Sequence, residues 1–263
     1  MQVGVNWLSP YTLPLVQQFL AEGVADFCEV MLDNVIHLSP KQVRAVLPDT
    51  PICFHIVTSR FLEKTSSELA QMAEYVKRWI DELEPFYISD HLTSHVMENG
   101  RRHAQAQEIN YATHFDDVCE KIVKWQDMLG VSLLLENNAS TTAYGAEQAY
   151  WYARILQETN ARLLFDVSNA YLAACNDIAA YNSWLTLLPA TKHFHVAGYR
   201  FDPLSGLWQD THDVSISAEV YDCLQLLPKN QNQTIVLEFD SQVDGQMWKA
   251  ELVKMRRSLG TVG

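Results

Sequence analysis

Hydrophobic and polar positions follow two rhythms along this chain. Short apolar runs rich in Val, Ile, Phe and Leu recur at residues 2–7, 26–32, 51–57, 86–90, 131–136, 162–166, 192–197 and 233–239. Runs of this length suit strands buried on both faces. Between them apolar positions return every three to four residues. The clearest case is 65–83, where Leu69, Met72, Ala73, Val76, Ile80 and Leu83 line one face and Thr65 with Glu68 can form a capping box. Ser39-Pro40 supplies a cap and first turn ahead of Val43 and Leu47, Gly130 closes a helix ending at 125–129, and Trp248, Leu252 and Met255 mark a last helix.

Eight strand–helix alternations in 263 residues predict a (β/α)8 TIM barrel, an α/β fold. No Pro/Gly/Ser-rich linker, charge block or internal repeat interrupts them, so residues 1–263 are expected to form a single catalytic domain. The longest stretches without either rhythm, 91–108 and 198–215, each follow a strand and are expected to be irregular loops at the catalytic face.

Composition narrows the class of function. The chain is 48% hydrophobic, ample for a core. A formal charge of −13 repels a phosphate backbone, which disfavours a nucleic-acid partner. Cys28, Cys53, Cys119, Cys175 and Cys223 are scattered without a CxxC, as in a reducing compartment. The start Met1-Gln2-Val3-Gly4-Val5 lacks a signal-peptide pattern, and no apolar run approaches roughly 20 residues. A cytoplasmic, membrane-free protein is the expectation.

In a barrel the C-terminal strand ends converge on one mouth. Here those ends are polar: His55 on the third run, Ser89-Asp90-His91 on the fourth, Glu136-Asn137 on the fifth, Asp166 with Asn169 on the sixth, His193 and His195 on the seventh, Glu238 and Asp240 on the eighth. Asp210-Thr211-His212 lies in the segment after the seventh. Burying this many carboxylates and imidazoles costs several kcal/mol each unless they are paired or bound to metal. A cluster of metal ions offsets that cost for all of them together. Nitrogen and carboxylate donors without converging cysteine suit iron, manganese or zinc. His195 is favoured over His193 as a ligand because it lies nearer the mouth. His37, His103 and His114 lack strand-end positions, and His95 is borderline. There is no GxGxxG, P-loop, GxSxG or HExxH.

The motifs Ser89-Asp90-His91-Leu92, Leu134-Leu135-Glu136-Asn137, Leu164-Phe165-Asp166-Val167-Ser168-Asn169, His195-Val196-Ala197-Gly198, Asp210-Thr211-His212 and Leu237-Glu238-Phe239-Asp240 resemble, in this order, the multinuclear non-heme iron-dependent oxidative enzymes. This is a barrel family related in fold to xylose isomerase, acting on ribosomally made peptides. Asp33-Asn34, His37-Leu38-Ser39-Pro40 and Ser59-Arg60-Phe61-Leu62-Glu63 are closest to its methanobactin-biosynthesis branch, whereas Tyr199, Asn138 and Phe239 depart from the pattern of many members. The resemblance implies two to three iron ions in mixed-valence Fe(II)/Fe(III) form, held by His55, His91, Glu136, Asp166, Asn169, His195, Asp210, His212 and Glu238, with Glu136 bridging. It further implies a four-electron oxidation, with O2 as co-substrate, of a cysteine in a methanobactin precursor peptide to an oxazolone and a thioamide. Asp240 is then either the catalytic base or a residue that orients a ligand. A partner protein that binds the leader peptide, forming a heterodimer, is implied as well. The alternative is a divalent-metal sugar isomerase or epimerase on the same barrel; a non-enzymatic, metal-storing or adaptor barrel is a third reading.

Overall fold

The computed structural model describes residues 1–96, 102–229, 232–240 and 244–261. Eight parallel strands close a barrel: β1 (Gln2–Trp7), β2 (Phe27–Met31), β3 (Ile52–His55), β4 (Ile88–His91), β5 (Leu134–Glu136), β6 (Arg162–Asp166), β7 (His193–Ala197) and β8 (Thr234–Glu238). Each pairs with its neighbours in sequence, and β1 closes on β8. All eight correspond to the apolar runs. Register sets His91 level with Glu136 and Asp166 level with His195.

The helices form where their caps allow. Thr65 and Glu68 make the reciprocal capping box of the helix Ser66–Leu83, and Ser39 with Gln42 does the same for Pro40–Val46. Gly130, at φ +75°, ends Tyr111–Leu129. Trp79, Trp125, Trp248 and Tyr152 are buried between these helices and the outside of the barrel.

Inside the barrel the period-2 alternation of a strand separates two layers. Phe27, Cys53, Tyr87, Leu134, Leu164 and Val236 form an apolar core of their own, apart from the larger shell under the helices. Two residues further along each chain segment stand Glu29, His55, Ser89, Glu136, Asp166 and Glu238, all buried. The apolar layer is therefore a floor, and the polar layer rests on it. Gly4 is part of this construction, because a Cβ there would lie 2.4 Å from the Phe27 ring.

The two segments expected to be irregular each carry a pair of short strands. Thr93–Val96 pairs antiparallel with Arg102–Glu108, and Tyr199–Asp202 with Leu207–Asp210. In the second, Asp202 accepts from the backbone of Leu204 and Ser205, and Gly206 takes φ +73°, so side-chain turn chemistry closes a hairpin where no long apolar run announces one. Both hairpins rise from the C-terminal ends of their strands.

Gly198 connects β7 to its hairpin and accepts from His212 N–H at 3.0 Å. A Cβ at Gly198 would lie 1.9 Å from the carbonyl oxygen of Val214, which cannot yield without moving backbone. Gly198→Ala is expected to cost about 1–3 kcal/mol in a denaturant titration and to weaken metal uptake through the displaced His212 segment. A variant with unaltered midpoint and metal content would show that the segment adapts freely.

Candidate metal centre

The polar layer converges on Glu136. One of its oxygens, Oε2, lies 3.3 Å from Nε2 of His55 and 3.5 Å from Nε2 of His91; the other, Oε1, lies 3.5 Å from Nδ1 of His195. Nδ1 of His195 is also 3.2 Å from Oε2 of Glu238. Two overlapping sets of donors result, His55/His91/Glu136 and Glu136/Asp166/His195/Glu238, each with atoms within 4.8 Å of one another. Glu136 belongs to both.

The three remaining candidates sit beside this pair. Asp166 caps the helix Val167–Cys175 by accepting from Asn169 N–H at 2.6 Å, which brings Asn169 against it. Asp210 ends the hairpin after β7, with Oδ2 2.6 Å from Nε2 of His212. His212 takes φ +52°, a left-handed conformation that costs about 1–2 kcal/mol for an L-residue. Backbone bonds to Gly198 and Asp240 on either side hold it there.

Several buried polar atoms here take no hydrogen bond: Oε2 of Glu136, Oδ2 of Asp166, Oδ1 of Asn169 and Asp210, and Nδ1 of His195. Each belongs to a proposed ligand and can offer a lone pair once any proton it carries has left. Orphaned donors and acceptors concentrated in one place are what a site shaped for cations leaves when only protein atoms are counted. The residues present therefore fit a multinuclear metal group with oxygen and nitrogen ligands.

Their electrostatics agree. Burial pushes Asp166 far above the usual carboxylate range, and Glu136, Asp210 and Glu238 push it further. Burial also raises Glu238, to about 7, although His195 and His212 oppose it. Against burial, Glu238, Glu29 and Glu136 raise His195 well above its ordinary value, and Asp210 and Glu238 do the same for His212. Glu136, despite burial, is held far below the usual range by the imidazoles around it. His55 is lowered to about 4, chiefly by burial. Without cations the layer balances its carboxylates with protons.

Asp240 is fully engaged: Oδ2 lies 2.8 Å from Nδ1 of His212, and Oδ1 accepts from Nδ2 of Asn6 at 2.8 Å. His193 stands two positions below His195, bonds Thr234 Oγ1 at 2.8 Å and packs its ring against Tyr87, away from the donors. His37 and His114 are exposed, and His95 bonds Glu63 through its backbone. The side chain of His103 lies outside the described residues.

Two residues missed in the sequence matter here. Glu29 is fully buried on β2 and faces Nε2 of His195 at 3.0 Å. Its signal was available: a carboxylate inside Phe27-Cys28-Glu29-Val30-Met31, where every other residue is apolar. Asn6, which bonds both Asp240 and Phe239 N–H, stood inside the first apolar run in the same way.

The family described as RiPP precursor modification enzyme MbnB/TglH/ChrH matches residues 2–259. The chain belongs to this family. RiPPs are ribosomally made, post-translationally modified peptides. Among curated relatives, a UPF0276 protein of Vibrio vulnificus is 29% identical over 63% of this chain, which spans 60% of that protein's length. UPF0276 proteins of Rhizorhabdus wittichii (29%, covering 76% of this chain and 74% of that protein) and Paraburkholderia phytofirmans (26%, 87% and 78%) match more of the chain. Solved structures share the fold at low identity. D-allulose 3-epimerase from Methylomonas sp. superposes with TM-score 0.64 at 11% identity, covering 98% of this chain and 96% of its own. Endonuclease IV from Thermus thermophilus gives 0.63 at 14%, covering both chains fully, and a probable 3-DHS dehydratase from Bacillus anthracis 0.66 at 12%, covering 97% and 98%. The barrel is thus of the xylose isomerase-like type.

Cations must displace the protons held by Glu238, His195 and Asp166, so metal binding is expected to release protons and to weaken more than about tenfold between pH 8 and pH 6. Calorimetry of metal-free protein in buffers of different protonation enthalpy measures this; an affinity independent of pH would contradict it. Glu136→Ala is expected to lose metal from both donor sets, while Cys53→Ser keeps it, because Cys53 is buried in the floor and its thiol, 3.9 Å from Oε2 of Glu29, bonds none of the proposed ligands. Elemental analysis of the two variants decides, and equal losses would count against a shared Glu136.

Proposed function

We propose that this protein is a multinuclear-iron, O2-dependent oxidase that converts a cysteine of a ribosomal precursor peptide, of the methanobactin-precursor kind, to an oxazolone and a neighbouring thioamide. The observation that carries the reading is the position of Glu136 between two donor sets, in a chain whose family modifies RiPP precursors. His55, His91, Glu136, Asp166, Asn169, His195, Asp210, His212 and Glu238 would hold two to three irons in mixed-valence form. When bound, iron supplies Lewis acidity and electrons for dioxygen chemistry.

The protein's own part is to hold and shield. The side chains of His55, Glu136, His195 and Glu238 are at most 3% exposed, whereas His91, His212, Asp210 and Asp240 retain 15–34%. A peptide thiol would therefore approach over His91, His212 and Asp240. Asp240 uses both oxygens on His212 and Asn6 and is held ionised by the adjacent imidazole against the effect of burial. That supports the orienting role for Asp240 over the role of base. A leader-binding partner protein, giving a heterodimer, completes the proposal.

The test is co-expression with a cysteine-containing precursor peptide and any adjacent small partner gene, read by mass spectrometry. The peptide is expected to lose hydrogen only when oxygen is present and the target cysteine is intact, with turnover rising at partial reduction by ascorbate. Unchanged turnover under strict anaerobiosis, or with manganese replacing all iron, would refute the oxidase; a peptide left unmodified by protein that isomerises a sugar with manganese would favour the sugar isomerase.

A further inference from the structure

Below the donor layer, Glu29 holds His195 from the opposite side. Its two oxygens lie 3.0 and 3.1 Å from Nε2 of His195. Tyr87 donates its hydroxyl to Oε2 at 2.6 Å. Neither Glu29 nor His195 reaches solvent. Nε2–H of the imidazole therefore points down at a carboxylate, and Nδ1, which has no hydrogen bond, points up between Glu136 and Glu238. A neutral imidazole carries its proton on one nitrogen and its lone pair on the other, so Glu29 fixes which nitrogen can donate to a cation.

His55 is arranged in the reverse sense and by a neutral group. Its Nδ1 bonds Ser89 Oγ at 2.7 Å, and its Nε2 faces the donors. The two donor sets thus differ in charge beyond the shared Glu136. One adds His91 and a His55 backed by a hydroxyl; the other adds Asp166, Glu238 and a histidine backed by a carboxylate. Coulomb attraction scales with cation charge and is strong in a buried site, so the second set discriminates more sharply between trivalent and divalent ions.

We propose that Glu29 is a positioning residue that fixes His195 as an Nδ1 donor and biases the Asp166/His195/Glu238 set toward a more highly charged cation than the His55/His91 set takes. The inference rests on the metal-centre reading and deepens it, because it says which side would carry ferric iron.

Full-length, metal-stripped protein titrated separately with zinc(II) and with gallium(III), a redox-inert trivalent ion, tests the assignment. Glu29→Gln keeps the size and an acceptor but removes the charge. It is expected to lower gallium affinity about 10- to 100-fold, with a markedly smaller loss for zinc. Tyr87→Phe removes the shorter of two hydrogen bonds to Oε2 of Glu29, the other coming from the Cys53 thiol at 3.9 Å, and by leaving more of the Glu29 charge for His195 is expected to raise the gallium-to-zinc affinity ratio. Shifts of opposite sign from two neighbouring substitutions cannot come from a loosened barrel. Ser89→Ala, on the His55 side, is expected to weaken zinc and leave gallium unchanged. Equal losses of both ions in Glu29→Gln, or no loss of either, would overturn the proposal. Should the gallium preference hold while the peptide stays unmodified, the oxidase reading fails and the role of Glu29 stands.

Discussion

Everything in this barrel answers to one cost, that of placing Glu29, Glu136, Asp166 and Glu238 out of reach of water around one buried imidazole, His195. Each buried carboxylate costs several kcal/mol unless compensated. Among the described residues the imidazoles of His55, His91, His195 and His212 are the groups that face them, and the shifted protonation of His55, His195 and His212 shows the strain of the balance. Cations among these groups would relieve it, and the orphaned atoms of Glu136, Asp166, Asn169 and His195 lie where such ions would sit.

The surrounding residues spend their hydrogen bonds on geometry. Asn137 clamps β5 to β6 by accepting from Asp166 N–H and donating to its carbonyl, at 2.8 and 2.9 Å. Asn169 returns a bond to the Asn137 carbonyl, so its own side-chain oxygen is left over. Tyr152, from the helix Gln148–Thr159, reaches in to bond the carbonyl of Glu136. Ligand positions fixed in this way would lose little entropy on taking up metal, and Glu136 and Asp166 sit on strands rather than on loops.

The same barrel serves epimerases, a nuclease and a dehydratase among the solved structures, so its outline carries no chemistry of its own. What individualises this chain is the polar layer and the hairpins above it.

The strands, the capped helices and the barrel were legible in the sequence because hydrophobic period and cap residues are local signals, as Thr65, Glu68 and Gly130 illustrate. Strand ends such as His55, Glu136 and Glu238 were legible as candidates because polarity at the end of an apolar run is also local. The hairpin Tyr199–Asp202/Leu207–Asp210 was not, since its short strands bury too little to leave a pattern and depend on the turn at Asp202 and Gly206. Sequence alone likewise could not rank His193 against His195 by more than their order, or say whether Asp240 faces a substrate or a histidine. Those questions turn on which side chains meet across the barrel, and only closure of β1 on β8 brings Asn6 to Asp240 and Glu29 to His195, 234 and 166 residues apart in the chain.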